Sequence, residues 1–381
     1  MMAAIPPAAG QALRIASVRT LVFRAPLEQP VRTSFGTMHD RPALLVRVED
    51  EQGVFGWGEV WCNFPAVGAE HRAHLLDSLV GPILREQPWA GPGAAFHELS
   101  RRLHILAIQS GEPGPMAQIV AGTDVALWDL AARRAGQPLW KMLGGTPTVP
   151  VYASGLNPDR PEELAARKLQ EGHRAFKLKV GFGEQRDRAN LGALRKLLGP
   201  LPVMIDANQA WQLETAIAMS AALQEFAPLW LEEPIAADQP LGAWQQLARV
   251  SKIPLAAGEN LRGAEAFEAA LGTAAFGVIQ PDLGKWGGFS GCLQVGKMAR
   301  SRGVMFCPHW LGGGIGLAAS LHLMAAVGGA GYVEVDANPN PLREPGVVPA
   351  FKVHEGTVTL NDIPGLGVVP NLAAIEPYRV Q

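Results

Sequence analysis

Seven apolar runs, each closed by an ionisable residue, follow one another through the second half of the chain. The closing residues, in chain order, are Lys179, Asp206, Glu232, Glu259, Asp282, His309 and Glu334, with gaps of 27, 26, 27, 23, 27 and 25 residues. A strand, a helix and two turns need a similar length of chain, so the spacing predicts repeated βα units. In a parallel (β/α) barrel the carboxyl ends of all strands surround one mouth. The seven side chains are therefore expected at a single site.

The rest of the chain predicts a second domain. Residues 14–61 alternate like antiparallel strands, residues 70–145 show helical periodicity, and the residues after 340 return to short extended pieces. We predict an α/β protein with an α+β capping domain over residues 1–145. A modified TIM (β/α) barrel is expected over residues 146–340, with a tail, residues 341–381, that returns to the capping domain.

Composition excludes several classes of protein. The net charge of −2 gives no reason to expect a nucleic acid or an anionic membrane as a partner. Three widely separated cysteines fit a reducing compartment, and the first residues lack a signal-peptide pattern. The charge-free run 311–330 is rich in Gly and Ala and predicts a buried barrel helix rather than a membrane span. A cytoplasmic enzyme is expected.

Two lysines close the first of these runs. Lys177 and Lys179 point the same way in FKLKV, because residues two apart in a strand share a face. Two ammonium groups directed into one barrel mouth repel, which predicts a lowered pKa for at least one and an amine able to act as a base. A pair of solvated surface lysines is the competing interpretation.

Three carboxylates end the next three predicted strands. They belong to Asp206, Glu232 and Glu259, and Asn208 shares the face of Asp206. Oxygen ligands without a thiol or an imidazole favour a hard divalent cation, Mg²⁺ first and Mn²⁺ second. Any one of these acids could be a helix cap or a surface ion pair, but three at a common spacing favour a metal site.

Asp282 and His309 follow the next two predicted strands. A carboxylate bonded to one imidazole nitrogen fixes the tautomer, raises the imidazole pKa and leaves the other nitrogen for proton transfer. A histidine with a purely structural role is the alternative. Glu334 ends the eighth predicted strand, where its carboxyl group would hold a developing oxyanion or form a salt bridge at the rim.

The sequence resembles the enolase superfamily in a set of motifs taken together. They are K-x-K, D-x-N, E-E-P, A-G-E-N, P-D-x-x-K-x-G-G and P-H. Within it, they resemble the mandelate racemase-like branch of the mandelate racemase/muconate lactonizing enzyme family, over residues 18–377. The resemblance implies a capping domain over a modified barrel and one essential Mg²⁺. The muconate-lactonizing branch carries a lysine in place of Asp282, so it fits less well.

The resemblance also implies a role for each residue that closes an apolar run, and for Lys177 and Asn208. Asp206, Glu232 and Glu259 would bind the metal. Lys179, tuned by Lys177, and His309, paired with Asp282, would transfer protons. Glu334 would hydrogen-bond the intermediate, and Asn208 would touch the substrate. Lys285 is expected beside these residues rather than among them.

Two loops of the capping domain are expected to close the site and select the substrate. The first spans residues 31–41 and contains Arg32 and Arg41, whose polarity suits a polyhydroxylated acid. The second spans residues 61–67 and begins with Trp61, which covers the site or favours an aryl group. We include Arg32, Arg41 and Trp61 among the predicted substrate contacts.

The predicted chemistry begins with removal of the proton α to a carboxylate, followed by stabilisation of the enolate. Many members of the branch dehydrate acid sugars, so the resemblance favours an Mg²⁺-dependent dehydratase that forms a 2-keto-3-deoxy acid from an aldonate or aldarate. A racemase or epimerase of a 2-hydroxy acid is the alternative. A small hydroxy-carboxylate substrate and a homo-oligomer are expected in either case.

Overall fold

The computed structural model describes residues 12–32 and 36–380, without the side chains of Gln29 and Arg32. The chain opens with a three-stranded antiparallel sheet formed by β1 (Ile15–Arg32), β2 (Thr37–Asp50) and β3 (Phe55–Val60). The first cap loop is therefore shorter than predicted. Arg41 lies within β2, where it pairs with Ala25 of β1.

Helices cover this sheet, as the helical periodicity of residues 70–145 predicts. They are α1 (Gly68–Leu75), a π-helical segment (Leu76–Val80), α2 (Gly81–Arg85), α3 (Pro92–Ser110), α4 (Pro113–Arg134) and α5 (Leu139–Met142). The longest of them, α4, packs directly on β3. A Cβ on Gly58 would lie 2.0 Å from the carbonyl oxygen of Gly122, so glycine allows the two backbones to touch. This contact joins the sheet to its helical layer.

Eight parallel strands form the predicted barrel sheet, with the last strand paired to the first. They are β4 (Thr148–Leu156), β5 (Phe176–Lys179), β6 (Val203–Asp206), β7 (Leu231–Glu232), β8 (Leu255–Ala257), β9 (Phe276–Ile279), β10 (Met305–Phe306) and β11 (Val333–Asp336). Each of the first seven strands is followed by a helix. These helices are α6 (Pro161–Gln170), α7 (Glu184–Leu198), α8 (Leu213–Leu223), α9 (Leu241–Val250), α10 (Ala264–Gly272), α11 (Gly288–Ser301) and α12 (Gly314–Val327).

The charge-free run folds as α12, which is buried along nearly its whole length. A Cβ on Gly316 would lie 1.8 Å from the Trp310 ring, so this glycine-rich start lets the helix pack against an indole. Among the described residues, no helix is long and apolar enough to cross a membrane.

The tail takes the place of an eighth barrel helix. It contains β12 (Val347–Val348), β13 (Thr357–Thr359), β14 (Val369–Pro370) and α13 (Leu372–Ile375). Strand β13 pairs with the start of β4, while the Val380 N–H donates to the Val22 carbonyl of β1 at 2.9 Å. The tail thus touches both parts of the molecule. The domain limits at residues 145 and 340 stay predictions.

A buried carboxylate joins the capping sheet to the barrel. Glu59 of β3 accepts hydrogen bonds from the backbone N–H groups of Gly313, at 2.5 Å, and Gly316, at 2.9 Å. Gly313 directly precedes α12 and Gly316 lies in its first turn, where N–H groups lack partners within the helix. Burial raises the pKa of Glu59 to about 7, although the backbone hydrogen bonds oppose the shift.

This shift predicts a pH dependence of stability. Between the ordinary carboxyl pKa of 4.5 and about 7, the folded protein binds more protons at Glu59 than the unfolded chain does. The free energy of unfolding should therefore fall as pH rises through this window, by about 3 kcal/mol from this group. Urea unfolding of wild type and Glu59→Gln across the window measures it.

Glu268→Gln, an exposed change on α10, is the matched control and should keep the wild-type slope. An identical pH slope in wild type and Glu59→Gln would contradict the assignment of this titration to Glu59.

Candidate functional site

Strand pairing brings the predicted side chains to one end of the barrel. Lys179 pairs in register with Asp206, and Asp206 with Glu232, so these three residues lie side by side on adjacent strands. Glu259 lies two residues beyond β8 and Asp282 lies three beyond β9. Parallel register therefore gathers residues far apart in sequence at one mouth.

His309 and Glu334 reach the same mouth from the last two strands. His309 lies three residues beyond β10, in a loop. Glu334 lies inside β11, which continues to Asp336. Glu334 is therefore not the end of this strand, as predicted, but its second residue. Asp336 extends it because its backbone pairs with Ser154 of β4.

Lys177 is the most deeply buried cation of the site, with no solvent exposure. Its Nζ lies 2.5 Å from Oε1 of Glu232, 3.0 Å from Oε1 of Glu334 and 3.7 Å from Oδ2 of Asp206. An ammonium group in the interior is stable only with such partners. Lys177 thus holds three carboxylates together at the floor of the mouth.

Lys179 lies nearer the surface, with 18% of its side chain exposed. Its Nζ donates to Oδ2 of Asp206 at 2.6 Å. Asn208 also contacts Asp206, through its backbone N–H to Oδ1 at 2.8 Å and its side-chain amide to Oδ2 at 3.3 Å. Asn208 has a positive φ of 44°, a conformation that asparagine tolerates better than most residues.

The predicted dyad is formed. Nδ1 of His309 lies 2.6 Å from Oδ2 of Asp282, and Nε2 lies 2.9 Å from Oε2 of Glu259 and 3.5 Å from Oε2 of Glu334. Burial lowers the pKa of His309, but Glu259, Glu334 and Asp282 together raise it well above its ordinary value. His309 is therefore an imidazolium in this arrangement and can donate a proton.

The expected lowering of a lysine pKa is wrong for this structure. Burial lowers the pKa of Lys177, but Glu232 and Glu334 outweigh it and hold the pKa well above its ordinary value. Burial also lowers the pKa of Lys179, but the neighbouring Asp206 raises it by more, so the pKa lies above its ordinary value. Attraction to the carboxylates exceeds repulsion between the ammonium groups because each lysine has a carboxylate within 2.6 Å.

The donor set suits a hard divalent cation. Six carboxyl groups share the mouth with four basic side chains: Asp206, Glu232, Glu233, Glu259, Asp282 and Glu334 against Lys177, Lys179, Lys285 and His309. Burial and the neighbouring Glu259 raise the pKa of Glu233 to about 8, which reflects this excess of acid. Carboxylate oxygens are the ligands that Mg²⁺ and Mn²⁺ prefer.

As they stand, the carboxylates face ammonium and imidazolium groups. Within residues 12–32 and 36–380, no group of three or more His, Cys, Asp or Glu side chains is arranged to hold a metal ion. The binding of a cation at Asp206 would therefore exchange one positive partner for another.

The capping domain contributes Trp61 to the mouth. Nζ of Lys285 lies 4.8 Å from the centre of the indole ring, and the same Nζ donates to Oε1 of Glu259 at 2.8 Å. Nε1 of Trp61 is buried and has no hydrogen-bond partner among the described residues. The second cap loop is held to the barrel by Asn63, whose amide donates to the Leu311 carbonyl at 2.6 Å.

Of the two arginines predicted in the first cap loop, the structure describes the side chain of Arg41 but not that of Arg32. Arg41 is buried, and its Nη2 donates to Oδ2 of Asp336 at 2.5 Å, while its Nε has no hydrogen-bond partner in the described part of the chain. Arg41 thus contacts the end of β11 instead of a loop at the surface. The side chain of Arg32 and the loop residues 33–35 lie outside the described residues.

Comparison with known proteins identifies the family. Residues 15–144 match the mandelate racemase/muconate lactonizing enzyme N-terminal domain, and residues 160–374 match the enolase C-terminal domain-like family. The chain belongs to the enolase superfamily. Within it, the chain lies in the mandelate racemase-like branch of the mandelate racemase/muconate lactonizing enzyme family.

Curated relatives cover most of the chain. D-galactarolactone cycloisomerase of Agrobacterium fabrum is 30% identical over 97% of this chain and 99% of its own length. L-talarate/galactarate dehydratase of Salmonella typhimurium is 33% identical over 78% of this chain and 72% of its own length.

Solved structures agree over nearly the full length. A mandelate racemase/muconate lactonizing enzyme from Bordetella bronchiseptica is 52% identical, with a TM-score of 0.90 over 96% of this chain and 99% of its own. A racemase from Streptomyces coelicolor with bound magnesium is 30% identical, with a TM-score of 0.87 over 96% of this chain and 100% of its own.

Three site residues of this enolase-superfamily member were not singled out from sequence. Gln280 donates from Nε2 to Oε2 of Glu232 at 2.6 Å, Ser154 donates to Oε1 of Glu334, and Glu233 accepts from Asn260 at 2.9 Å. Gln280 precedes Asp282 by two residues, so strand alternation could have found it. Ser154 lies in the first barrel strand, where the sequence carries no Asp, Glu, His, Lys or Arg to mark it.

The unequal burial of the two lysines predicts unequal effects on stability. Lys177→Met would leave Glu232 and Glu334 without their closest cation, so we expect the free energy of unfolding to fall by about 3–5 kcal/mol. Lys179→Met, two residues along the same strand, is the matched control. It removes a partly exposed ammonium group and should cost clearly less.

Urea unfolding of both variants without added metal measures the difference. Equal losses of stability in Lys177→Met and Lys179→Met would contradict the assignment of Lys177 as the cation that neutralises the buried carboxylates.

Proposed function

We propose that this enolase-superfamily enzyme dehydrates an acid sugar, an aldonate or an aldarate, to a 2-keto-3-deoxy acid. The observation that carries the proposal is the position of two proton-transfer groups on either side of a carboxylate cluster. Lys179 contacts the cluster through Asp206, and His309 contacts it through Glu259. A substrate above these carboxylates would meet one group from each side.

We propose that Asp206, Glu232 and Glu259 hold Mg²⁺, with Mn²⁺ as an alternative. The magnesium in the related Streptomyces coelicolor racemase and the excess of acid at this mouth support the assignment. When bound, the ion would supply Lewis-acid polarisation of the substrate carboxylate, which makes the α-proton more acidic.

The side chains then divide the proton transfers. Either Lys179 or His309 removes the α-proton, and each can do so only after losing its own proton, because both are cations in this arrangement. His309, held as an imidazolium by Glu259 and Asp282, donates a proton to the β-hydroxyl group, which leaves as water. Lys177 donates a hydrogen bond and positive charge to the oxygens of the enolate, and Glu334 donates one there only when its carboxyl group is protonated. The resulting enol gives the 2-keto acid by tautomerisation.

An acid sugar is the preferred substrate class for two reasons. The talarate/galactarate dehydratase and the galactarolactone cycloisomerase are, by name, enzymes of acid sugars or their lactones. The mouth also offers polar groups for substrate hydroxyls. We propose contacts from Asn208, from the unpaired indole N–H of Trp61 and from Nε of Arg41, and retain Arg32 from the sequence analysis.

Racemisation of a 2-hydroxy acid is the second candidate. It needs the same first step, but the second group returns a proton to the α-carbon instead of the β-oxygen. The structural similarity to a racemase favours it, and the placement of Lys179 and His309 on separate sides of the cluster is compatible with both reactions. We also propose a cytoplasmic location and a homo-oligomeric state.

The metal assignment predicts a selective loss of Mg²⁺ binding. Glu232→Gln or Glu259→Gln keeps the side-chain size but removes one charged oxygen ligand. We expect affinity for Mg²⁺ to fall at least about tenfold and activity to be lost. Titration calorimetry with Mg²⁺ measures the change, with Glu268→Gln as the exposed control. Wild-type affinity for Mg²⁺ in both site variants would refute the assignment.

The dehydratase proposal predicts products that NMR can distinguish. Wild-type enzyme with Mg²⁺ and a panel of mono- and diacid sugars in D₂O should release a 2-keto acid from at least one of them. His309→Asn should form little or none, because the acid at the β-oxygen is gone, while Lys179 can still exchange the α-hydrogen.

His354→Asn, the same change at an exposed position of the tail, should behave as wild type. Exchange or inversion at the α-carbon across the panel, without any 2-keto acid, would replace the dehydratase assignment with the racemase one.

A further inference from the structure

A short strap, residues 310–313, directly follows His309 and leads into α12. It forms neither a strand nor a helix. A segment of this kind has no ladder of backbone hydrogen bonds of its own, so its polar groups need partners from elsewhere in the molecule. The contacts that hold the strap therefore decide how firmly the backbone of His309 is placed.

The capping domain supplies two of these contacts. Nδ2 of Asn63 donates to the Leu311 carbonyl at 2.6 Å, and Oε1 of Glu59 accepts from the Gly313 N–H at 2.5 Å. Both cap side chains are buried, Asn63 with 8% and Glu59 with 2% of its surface exposed. Water therefore competes little for either hydrogen bond, and the strap is bound to the cap as well as to the barrel.

Two glycines let the cap approach the strap this closely. A Cβ on Gly312 would lie 2.4 Å from the Trp310 ring and 3.1 Å from Oε1 of Glu59. A Cβ on Gly313 would lie 2.8 Å from the same oxygen. Any other residue at these positions would push the strap away from Glu59, so the sequence of the strap itself is suited to the contact.

The barrel anchors His309 from the other side. Its backbone N–H donates to the Pro281 carbonyl at 3.1 Å, beside its dyad partner Asp282. The next N–H along the chain, that of Trp310, donates to Oε2 of Glu334 at 3.3 Å. The barrel thus fixes the start of the strap and the cap fixes its end.

Asn63 belongs to the cap loop that also carries Trp61, and this loop is braced from within the cap. Arg72 of α1 donates from Nη2 to the Phe64 carbonyl at 3.2 Å and from Nε to Gln118 of α4 at 2.6 Å. Arg72 is itself only 3% exposed. The loop is therefore held by the cap helices, and Asn63 connects it to the strap.

We propose that Asn63 is a positioning residue for His309. Its hydrogen bond to the Leu311 carbonyl holds the strap, and through the strap it keeps the imidazole directed at Asp282. The capping domain then acts on proton transfer in addition to covering the substrate. The proposal rests on the proposed function only for the role given to His309, and it applies to dehydration and racemisation alike.

The proton on Nδ1 of His309 provides the test. A ring N–H that donates to a carboxylate at 2.6 Å should give a resonance far downfield in the proton NMR spectrum, assigned by its absence from His309→Asn. Its exchange rate with solvent reports local opening around the dyad. Asn63→Leu keeps the side-chain size but donates no hydrogen bond. It should raise this rate at least about fivefold, because a typical hydrogen bond contributes that factor.

Asn63→Ala, which cannot crowd the loop, should show the same rise. Asn361→Leu is the matched control. Asn361 also donates from Nδ2 to a carbonyl, that of Gly367 at 2.9 Å, but it lies in the tail beside Trp140 of α5. It should keep the wild-type exchange rate, and thermal melting of each variant checks that it is folded.

A wild-type exchange rate in both Asn63 variants, an equal rise in Asn361→Leu, or no such resonance in the wild type would overturn the proposal. The measurement uses the full-length protein and needs no substrate. A failure of the dehydratase assignment therefore leaves this test intact.

Discussion

Buried charge at the barrel mouth is the condition on which the rest of the structure depends. Carboxylates from adjacent strands are packed where water is scarce, and an isolated ion there would cost several kcal/mol. Lys177 offsets much of this cost by contacting Glu232 and Glu334 together. The same attraction keeps Lys177 and Lys179 protonated. For Lys179 to act as a base, it must therefore first lose a proton that these interactions hold in place.

The capping domain is held over this mouth by buried carboxylates as well as by apolar packing. Glu59 accepts from the first turn of α12, and Asp124 of α4 accepts from the backbone and hydroxyl of Ser290 in the first turn of α11. Helix N-termini offer unpaired N–H groups and partial positive charge to such groups. Both contacts fix the cap relative to barrel helices, and with it the position of Trp61 above Lys285.

The missing eighth helix has structural consequences of its own. The tail that replaces it pairs with β4, bonds to β1 and donates from Leu366 to Asp129 of α4 at 2.7 Å. Because these short segments contact three different elements, they do not fill the groove between α6 and α12 as a helix would. A cavity beside His173 therefore remains. One departure from the regular barrel thus connects the tail, the cap and this cavity.

The sequence by itself determined the barrel and the residues at its mouth, because a constant βα spacing places every strand end at one rim and alternation fixes the face of each residue. The tertiary structure decided which side chains from different strands and domains contact each other. The pKa of Lys179 depends on Asp206, which is 27 residues away. Arg41 meets Asp336 across 295 residues, and Ser154 meets Glu334 across 180. Such contacts follow from how strands and domains pack, which local patterns do not encode.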